Sequence, residues 1–275
     1  MSIAADYLAI IEKVANAICL PVIREIHVAS ASSQSGKSSK FGAMILENDI
    51  VGLTFVDLDA ARHDLQPILE SKTYIGCSPA EVAVLYAGDQ GWQRALGMAA
   101  INAISQCVLT GSGCLLPDAD NTMGLLQPEQ DDHIGMVGYF PPLVEMIREK
   151  NIALTVIELD QKWVQSEQDF EVTIDSSKLN VCNKVLCTGT VLINHTLDRI
   201  LEQAKNADEL YLVGPTLGCL PDPLFDRGVT AVGGRQVVNC AQFVDMWRAG
   251  ESWRAASKRY RITAESYPGY RALIS

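Results

Sequence analysis

The residues best equipped for chemistry in this 275-residue chain form two groups. One gathers glycines and oxygen donors in the second half: Gly138-Tyr139-Phe140, Glu158, Thr188-Gly189-Thr190 with Asn194, and Gly214-Pro215-Thr216. Each follows a short apolar run. Glycine lets backbone approach a bound molecule, and Thr, Asn or Glu side chains can hydrogen-bond it. Glu158 stands twenty residues after Gly138, the offset at which a dinucleotide fold offers a carboxylate to a ribose. Gly135-x-x-Gly138 is not G-x-G-x-x-G, so the spacing supports tight pyrophosphate binding poorly and leaves a nucleotide-like ligand as an open alternative.

The other group is soft. Eight cysteines lie at 19, 77, 107, 114, 182, 187, 219 and 240, with histidines at 27, 63, 133 and 195. Transition and heavy metals prefer thiolate and imidazole, yet the chain has no C-x-x-C or H-x-x-x-H pair. The candidate metal ligands are Cys219 in the loop 214–222, His195 at the start of a neighbouring helix, and Cys77, whose place just before a helix would lower its thiol pKa. Cys182 and Cys187 have the closest spacing, but Cys187 reads as a strand residue. Cys19 and Cys107 read as core packing near helix ends. His63 falls in a connecting segment, His133 at a solvated strand start, and Asp118, Asp120, Asp131 and Asp132 in a solvated acidic linker. No Ser–His–Asp or paired-carboxylate arrangement follows from spacing, so no catalytic residue is assigned and enzymatic activity is left open.

The elements that must position these residues divide near the middle. Apolar spacing predicts a helix over 6–18, strands over 23–29, 41–46 and 50–56, and helices over 79–87 and 91–109, a small α+β unit. Gly36-Lys37-Ser38, in the serine-rich stretch 30–39, lacks the glycine a P-loop needs five positions earlier and runs into a strand, so a flexible hairpin or mobile loop fits better. From residue 133 strands (133–138, 153–158, 184–187, 209–213, 229–232) alternate with helices (143–150, 195–204, 222–225, 241–248). That rhythm predicts right-handed crossovers and a parallel, doubly wound sheet. In such a sheet ligands bind beyond the carboxyl ends of the strands, where the first group lies.

Composition narrows the classes. With 22 basic and 33 acidic residues the formal charge is −11, which argues against nucleic acid as a partner. Residues 1–132 hold 16 of the acidic and 7 of the basic side chains, a shift compatible with two domains. The locally basic stretch 248–275, with Tyr260, Tyr267 and Tyr270 interleaved, reads as docking on the chain's own acidic surface ahead of contacting RNA. The first residues have no basic region and no apolar run approaches 18 residues, so neither export nor a membrane span is expected. Free thiols in a reducing cytoplasm are the expected state of the cysteines, and a homodimer the expected assembly.

Gly135-Met-Val-Gly-Tyr-Phe-Pro-Pro142, Thr188-Gly-Thr-Val-Leu-Ile-Asn-His-Thr-Leu197 and Val213-Gly-Pro-Thr216 with Pro221 resemble signatures of the putative heavy-metal chelation domain family. Gly97-Met-Ala-Ala-Ile-Asn-Ala103 resembles a helix of its usual partner, which looks like the N-terminal domain of enolases. The resemblance implies an α/β fold: a Rossmann-like parallel-sheet domain (113–275) preceded by a small α+β enolase-N-terminal-like domain (1–112). It also implies a small-molecule or metal ligand in the cleft between them, contacted by Gly138, Tyr139, Phe140, Glu158, Thr188, Asn194, Gly214, Pro215 and Thr216. One departure stands out: Thr216-Leu-Gly-Cys219 replaces a Ser-Thr-Pro type of run.

Overall fold

A computed structural model describes residues 2–28, 40–57, 61–114, 116–119 and 126–275, so the expectations for the stretch 30–39 and for Asp120 lie outside the described residues. Helix α1 (Ile3–Ala17) starts where the Ser2 side chain accepts from the Ala5 amide, and it buries Tyr7, Ile10, Ile11 and Val14. Strands β1 (Ile23–Val28), β2 (Phe41–Leu46) and β3 (Val51–Phe55) form an antiparallel meander, with Asp49 at φ +65° in the tight β2–β3 connection. Helix α2 (Ala61–Ser71) takes the place of the connecting segment expected around His63. It was hidden because it carries Pro67 internally and buries only Ala61 and Leu65, a stripe too thin to show in the pattern. Helix α3 (Pro79–Ala83) tightens into a 3₁₀ turn (Val84–Ala87) before α4 (Gly91–Gly111).

The second sheet has the order β11-β10-β9-β8-β4-β5-β7-β6. Its strands are β4 (His133–Val137), β5 (Ala153–Ile157), β6 (Gln165–Ser166), β7 (Phe170–Thr173), β8 (Lys184–Thr188), β9 (Glu209–Val213), β10 (Ala231–Val237) and β11 (Ser257–Thr263). Strands β10, β9, β8, β4, β5 and β7 run parallel, and β6 and β11 are antiparallel edges. Its helices are α5 (Pro141–Glu149), α6 (Thr190–Ile193), α7 (Leu197–Gln203), α8 (Asp222–Phe225), α9 (Cys240–Arg248) and α10 (Tyr270–Leu273). The architecture is thus mixed α/β around a mostly parallel sheet. The basic stretch is a strand in its middle: Tyr260 and Ile262 of β11 are buried while Arg259 on the other face is exposed.

Helix α4 is buried on every side from Ala95 to Gln106. Close backbone contact explains its small residues. A Cβ on Gly52 of β3 would sit 2.1 Å from the Ala99 carbonyl, and one on Gly97 would sit 2.2 Å from the Tyr86 amide. The polar side chains on this helix then have to be satisfied inside the core. Asn102 Nδ2 donates to the Leu53 carbonyl at 2.6 Å and the Thr216 carbonyl at 2.7 Å, joining β3 to the loop after β9. Gln106 Nε2 donates to the Gly218 carbonyl, the Tyr260 hydroxyl donates to the Leu217 carbonyl, and the Phe55 amide donates to Thr216 Oγ1.

At the other end of the parallel strands, Lys184 Nζ lies 2.9 Å from Asp132 Oδ2, both buried. Asp132 also accepts from the Glu129 amide and from Asn183 Nδ2, and Asn183 Oδ1 accepts from the His133 amide. Asp132 and His133 therefore belong to a buried staple between the starts of β4 and β8, which corrects the solvated linker and strand start expected for them. Burial would raise the Asp132 carboxyl pKa, but the Glu129 amide, Lys184 and Asn183 outweigh it and hold it below the usual range. Burial holds the His133 imidazole below its ordinary value, with Nε2 2.9 Å from Thr155 Oγ1.

Two outcomes follow. Replacing Asn102 with alanine strands two buried carbonyls and should cost about 1–3 kcal/mol in urea unfolding. In both shifted groups the unfolded chain binds more protons, so stability should fall with pH, first through about 6.5 as the unfolded histidine protonates and again through about 4 for the aspartate. His133→Gln should make the decline in melting temperature between pH 7 and pH 5 shallower without changing the decline below pH 4.

Candidate functional site

From β4 the chain moves to β5 on one side, and the later strands β8 and β9 lie on the other. The carboxyl ends of β4 and β8 therefore flank a topological switch point, the place at which the connections of such sheets diverge and a ligand crevice is expected. Gly138 leaves β4 at φ +90°, and a Cβ there would meet Thr188 Cγ2 at 3.1 Å, so both conformation and space demand glycine. Across the crevice Gly214 leaves β9 at φ +139°, and its missing side chain would meet only the Gly189 amide at 3.7 Å. Its backbone is open to approach. Thr188 and Thr190 stand between these glycines with their hydroxyls 3.1 Å apart.

Sequence reasoning placed nine ligand contacts here, and the structure sorts them. Gly138, Tyr139, Phe140, Glu158, Thr188, Gly214 and Pro215 are half-buried along the strand ends. Glu158 spends both carboxylate oxygens on backbone: Oε2 accepts from the Tyr139 amide at 3.1 Å, and Oε1 accepts from Leu159 at 2.8 Å and Asp160 at 3.3 Å. Its role visible here is to tie the β4 and β5 loops together. Asn194 closes a local turn, its Oδ1 accepting from the Thr196 amide and hydroxyl. Thr216 is 2% exposed, its hydroxyl oxygen engaged by Phe55 and its carbonyl by Asn102. Trp163 escaped the reading of the sequence. Its ring stacks on Tyr139 at 4.9 Å with 17° between planes, and the signal available was an aromatic in the loop following a strand end.

The candidate metal ligands do not converge. Cys219 is buried with Sγ 3.0 Å from the Tyr7 hydroxyl. His195, at φ +54°, lies edge-on to Tyr86 at 5.2 Å, and Tyr86 in turn is edge-on to Tyr7 at 6.2 Å. Tyr7 and Tyr86 thus stand between Cys219 and His195. Cys77 lies beside Ile23, whose amide donates to the Cys77 carbonyl, whereas the crevice meets the Phe55 end of the meander. Burial pushes the Cys219 and Cys182 thiols up to about 12 and raises Cys187 further, the opposite of what a thiolate ligand needs. Partial burial, then Arg94, keeps the His195 imidazole below its ordinary value. Cys19, expected in the core, is exposed because α1 ends before it. Among the described residues no group of three or more His, Cys, Asp or Glu side chains could hold a metal ion, so they do not fit a chelating centre. Nor is any described helix long and apolar enough to cross a membrane.

An uncharacterized protein of Methanocaldococcus jannaschii is 28% identical over 180 residues, covering 63% of this chain and 67% of that protein. Among solved structures, a protein of unknown function from the DUF364 family of Pyrococcus horikoshii superposes with TM-score 0.68 at 19% identity, over 94% of this chain and 99% of that one. Another from the same family in Desulfitobacterium hafniense gives 0.67 at 21%, over 94% and 98%. These two share the fold. The model of the DUF364 family, described as putative heavy-metal chelation, matches residues 121–265, and the chain belongs to that family.

Proposed function

We propose that the chain binds a small polar ligand in the crevice between the β4, β8 and β9 strand ends, with residues 1–112 as a cap on a unit formed by 113–275. A heavy metal handled by this protein enters as part of such a ligand, complexed by its own donor groups. The observation that carries this reading is Gly214, open to approach at φ +139° beside the Thr188 and Thr190 hydroxyls. The dispersed soft side chains argue in the same direction, because among the described residues no three His, Cys, Asp or Glu side chains gather where they could hold a bare ion. The half-buried Tyr139 with Trp163 supplies an apolar wall of the kind small-ligand sites use.

Titration calorimetry with Zn²⁺ or Ni²⁺ alone, and with the same ions pre-complexed by citrate or histidine, tests it. The complexed ions should bind and the bare ions should not. Thr188→Val, which keeps the side-chain shape and removes one hydroxyl, should weaken the complex about five- to tenfold. Stoichiometric uptake of the bare ion that disappears in Cys219→Ala would overturn the reading.

A further inference from the structure

Four of the large apolar side chains exposed among the described residues fall within one short span: Leu159, Trp163, Val164 and Ile174, each at least 41% exposed. They leave the same corner of the large sheet. The Glu158 amide donates to the Thr173 carbonyl, so Leu159 and Ile174 follow side by side from the carboxyl ends of β5 and β7. Val164 directly precedes Gln165 of β6, which pairs with Val172 of β7. Single exposed apolar residues are ordinary, whereas a cluster of them marks a surface that meets something.

The cluster is built on the stacked rings of Tyr139 and Trp163, and the backbone under both rings is tied down. Glu158 accepts from the Tyr139 amide with one carboxylate oxygen and from the Leu159 and Asp160 amides with the other. Asp160 in turn caps the 3₁₀ turn Gln161–Trp163. Its side chain accepts from the Lys162 amide at 3.2 Å, and its carbonyl accepts from the Trp163 amide at 3.1 Å. One carboxylate therefore fixes the chain on both sides of the ring pair, and rings so held have less freedom to lose when a ligand arrives. Trp163 keeps much of its indole in solvent despite the stack. Lys162, paired with Asp160, places Nζ 5.7 Å from the centre of the same ring.

These groups define an occupant. A flat ring surface favours another flat π system, laid on it in an offset stack. An ammonium beside that ring answers an anionic group on the occupant's edge. A whole protein is a poor match, because four apolar side chains fall far short of the roughly 20–30 residues a side of a stable interface. Position points the same way. Tyr139 directly follows Gly138 at the end of β4, and β5 is the neighbour of β4, so the ring pair continues from the crevice along the carboxyl edge of the sheet.

We propose that the crevice ligand carries a planar aromatic group with an acidic edge, which seats on Trp163 beside Leu159 and Ile174 while the polar remainder reaches Thr188 and Gly214. This rests on the crevice reading and adds the chemical class of the ligand: an aromatic acid, or a metal ion complexed by one. Glu158 then acts as a positioning residue, through the backbone of both rings.

Zn²⁺ complexed by dipicolinate or by iminodiacetate tests the inference, since both hold the ion through one nitrogen and two carboxylates and only dipicolinate is a flat ring. In titration calorimetry the dipicolinate complex should bind about tenfold tighter, as expected for one stacked ring. Its binding should change the tryptophan fluorescence. Trp163→Ala, at an exposed position, should remove that change and bring the two complexes within about twofold of each other. Trp163→Phe keeps a ring and should retain part of the preference, and it carries the test if Trp163→Ala fails to fold. Equal binding of the two complexes, both weakened by Thr188→Val, would overturn this inference and leave the crevice reading standing. Dipicolinate binding that depends on Trp163 but ignores Thr188→Val would uphold the ring platform and overturn the crevice reading. Binding of neither complex would overturn both. Dimerisation of the free protein that Trp163→Ala abolishes would make a second copy the occupant and overturn the inference.

Discussion

Everything at the strand ends depends on one side chain that donates twice. Asn102 reaches a β3 carbonyl and a carbonyl of the loop after β9 from a single amide nitrogen, inside a core without competing water. Its neighbours extend the same device. Gln106, Tyr260, Tyr7 and the Phe55 amide each engage one residue of 216–219, so that loop is held from α4, β11, α1 and β3 at once. A loop between strand and helix normally runs over the surface because its backbone needs water. This one is buried because protein donors replace that water, and the glycines that frame the crevice are fixed by consequence.

The parallel core was legible because its strands are short unbroken apolar runs separated by helical spacing. The elements that escaped are those whose side chains answer to partners far away in sequence. Strand β11 presents Lys258, Arg259 and Arg261, which read as a charged tail until β10 supplies the opposite register. The pattern Gly97–Ala103 was visible as a motif, but its cause is the approach of Gly52 and Tyr86, which no local spacing encodes. Asp132 looked solvated beside Asp131 because its counterion, Lys184, lies on another strand. Thr216-Leu-Gly-Cys219 looked like a ligand loop for the same reason, since its true contacts come from both ends of the chain.

The cysteines show how composition misleads when burial is unknown. Cys219, His195 and Cys77 were the expected soft-metal ligands, yet Cys219 is buried with Cys182, Cys187 and Cys240, and desolvation favours the neutral thiol over the thiolate. The family's description and this donor chemistry are reconciled if the metal brings its ligands with it. On that reading the ligand would meet the Thr188 and Thr190 hydroxyls and the stacked Tyr139 and Trp163 rings.

The clamped loop also limits how this molecule can move. Rotating the β1–β3 meander away from the large sheet would break the bonds of Asn102 and Phe55 together and leave buried carbonyls and an amide without partners. Hinge-like closure around a ligand, common where two units share a cleft, is therefore disfavoured along this seam. On the proposed reading, a ligand at the strand ends would meet a shape already held by these bonds. Such a site selects by fit and gives up the ability to wrap ligands of different sizes.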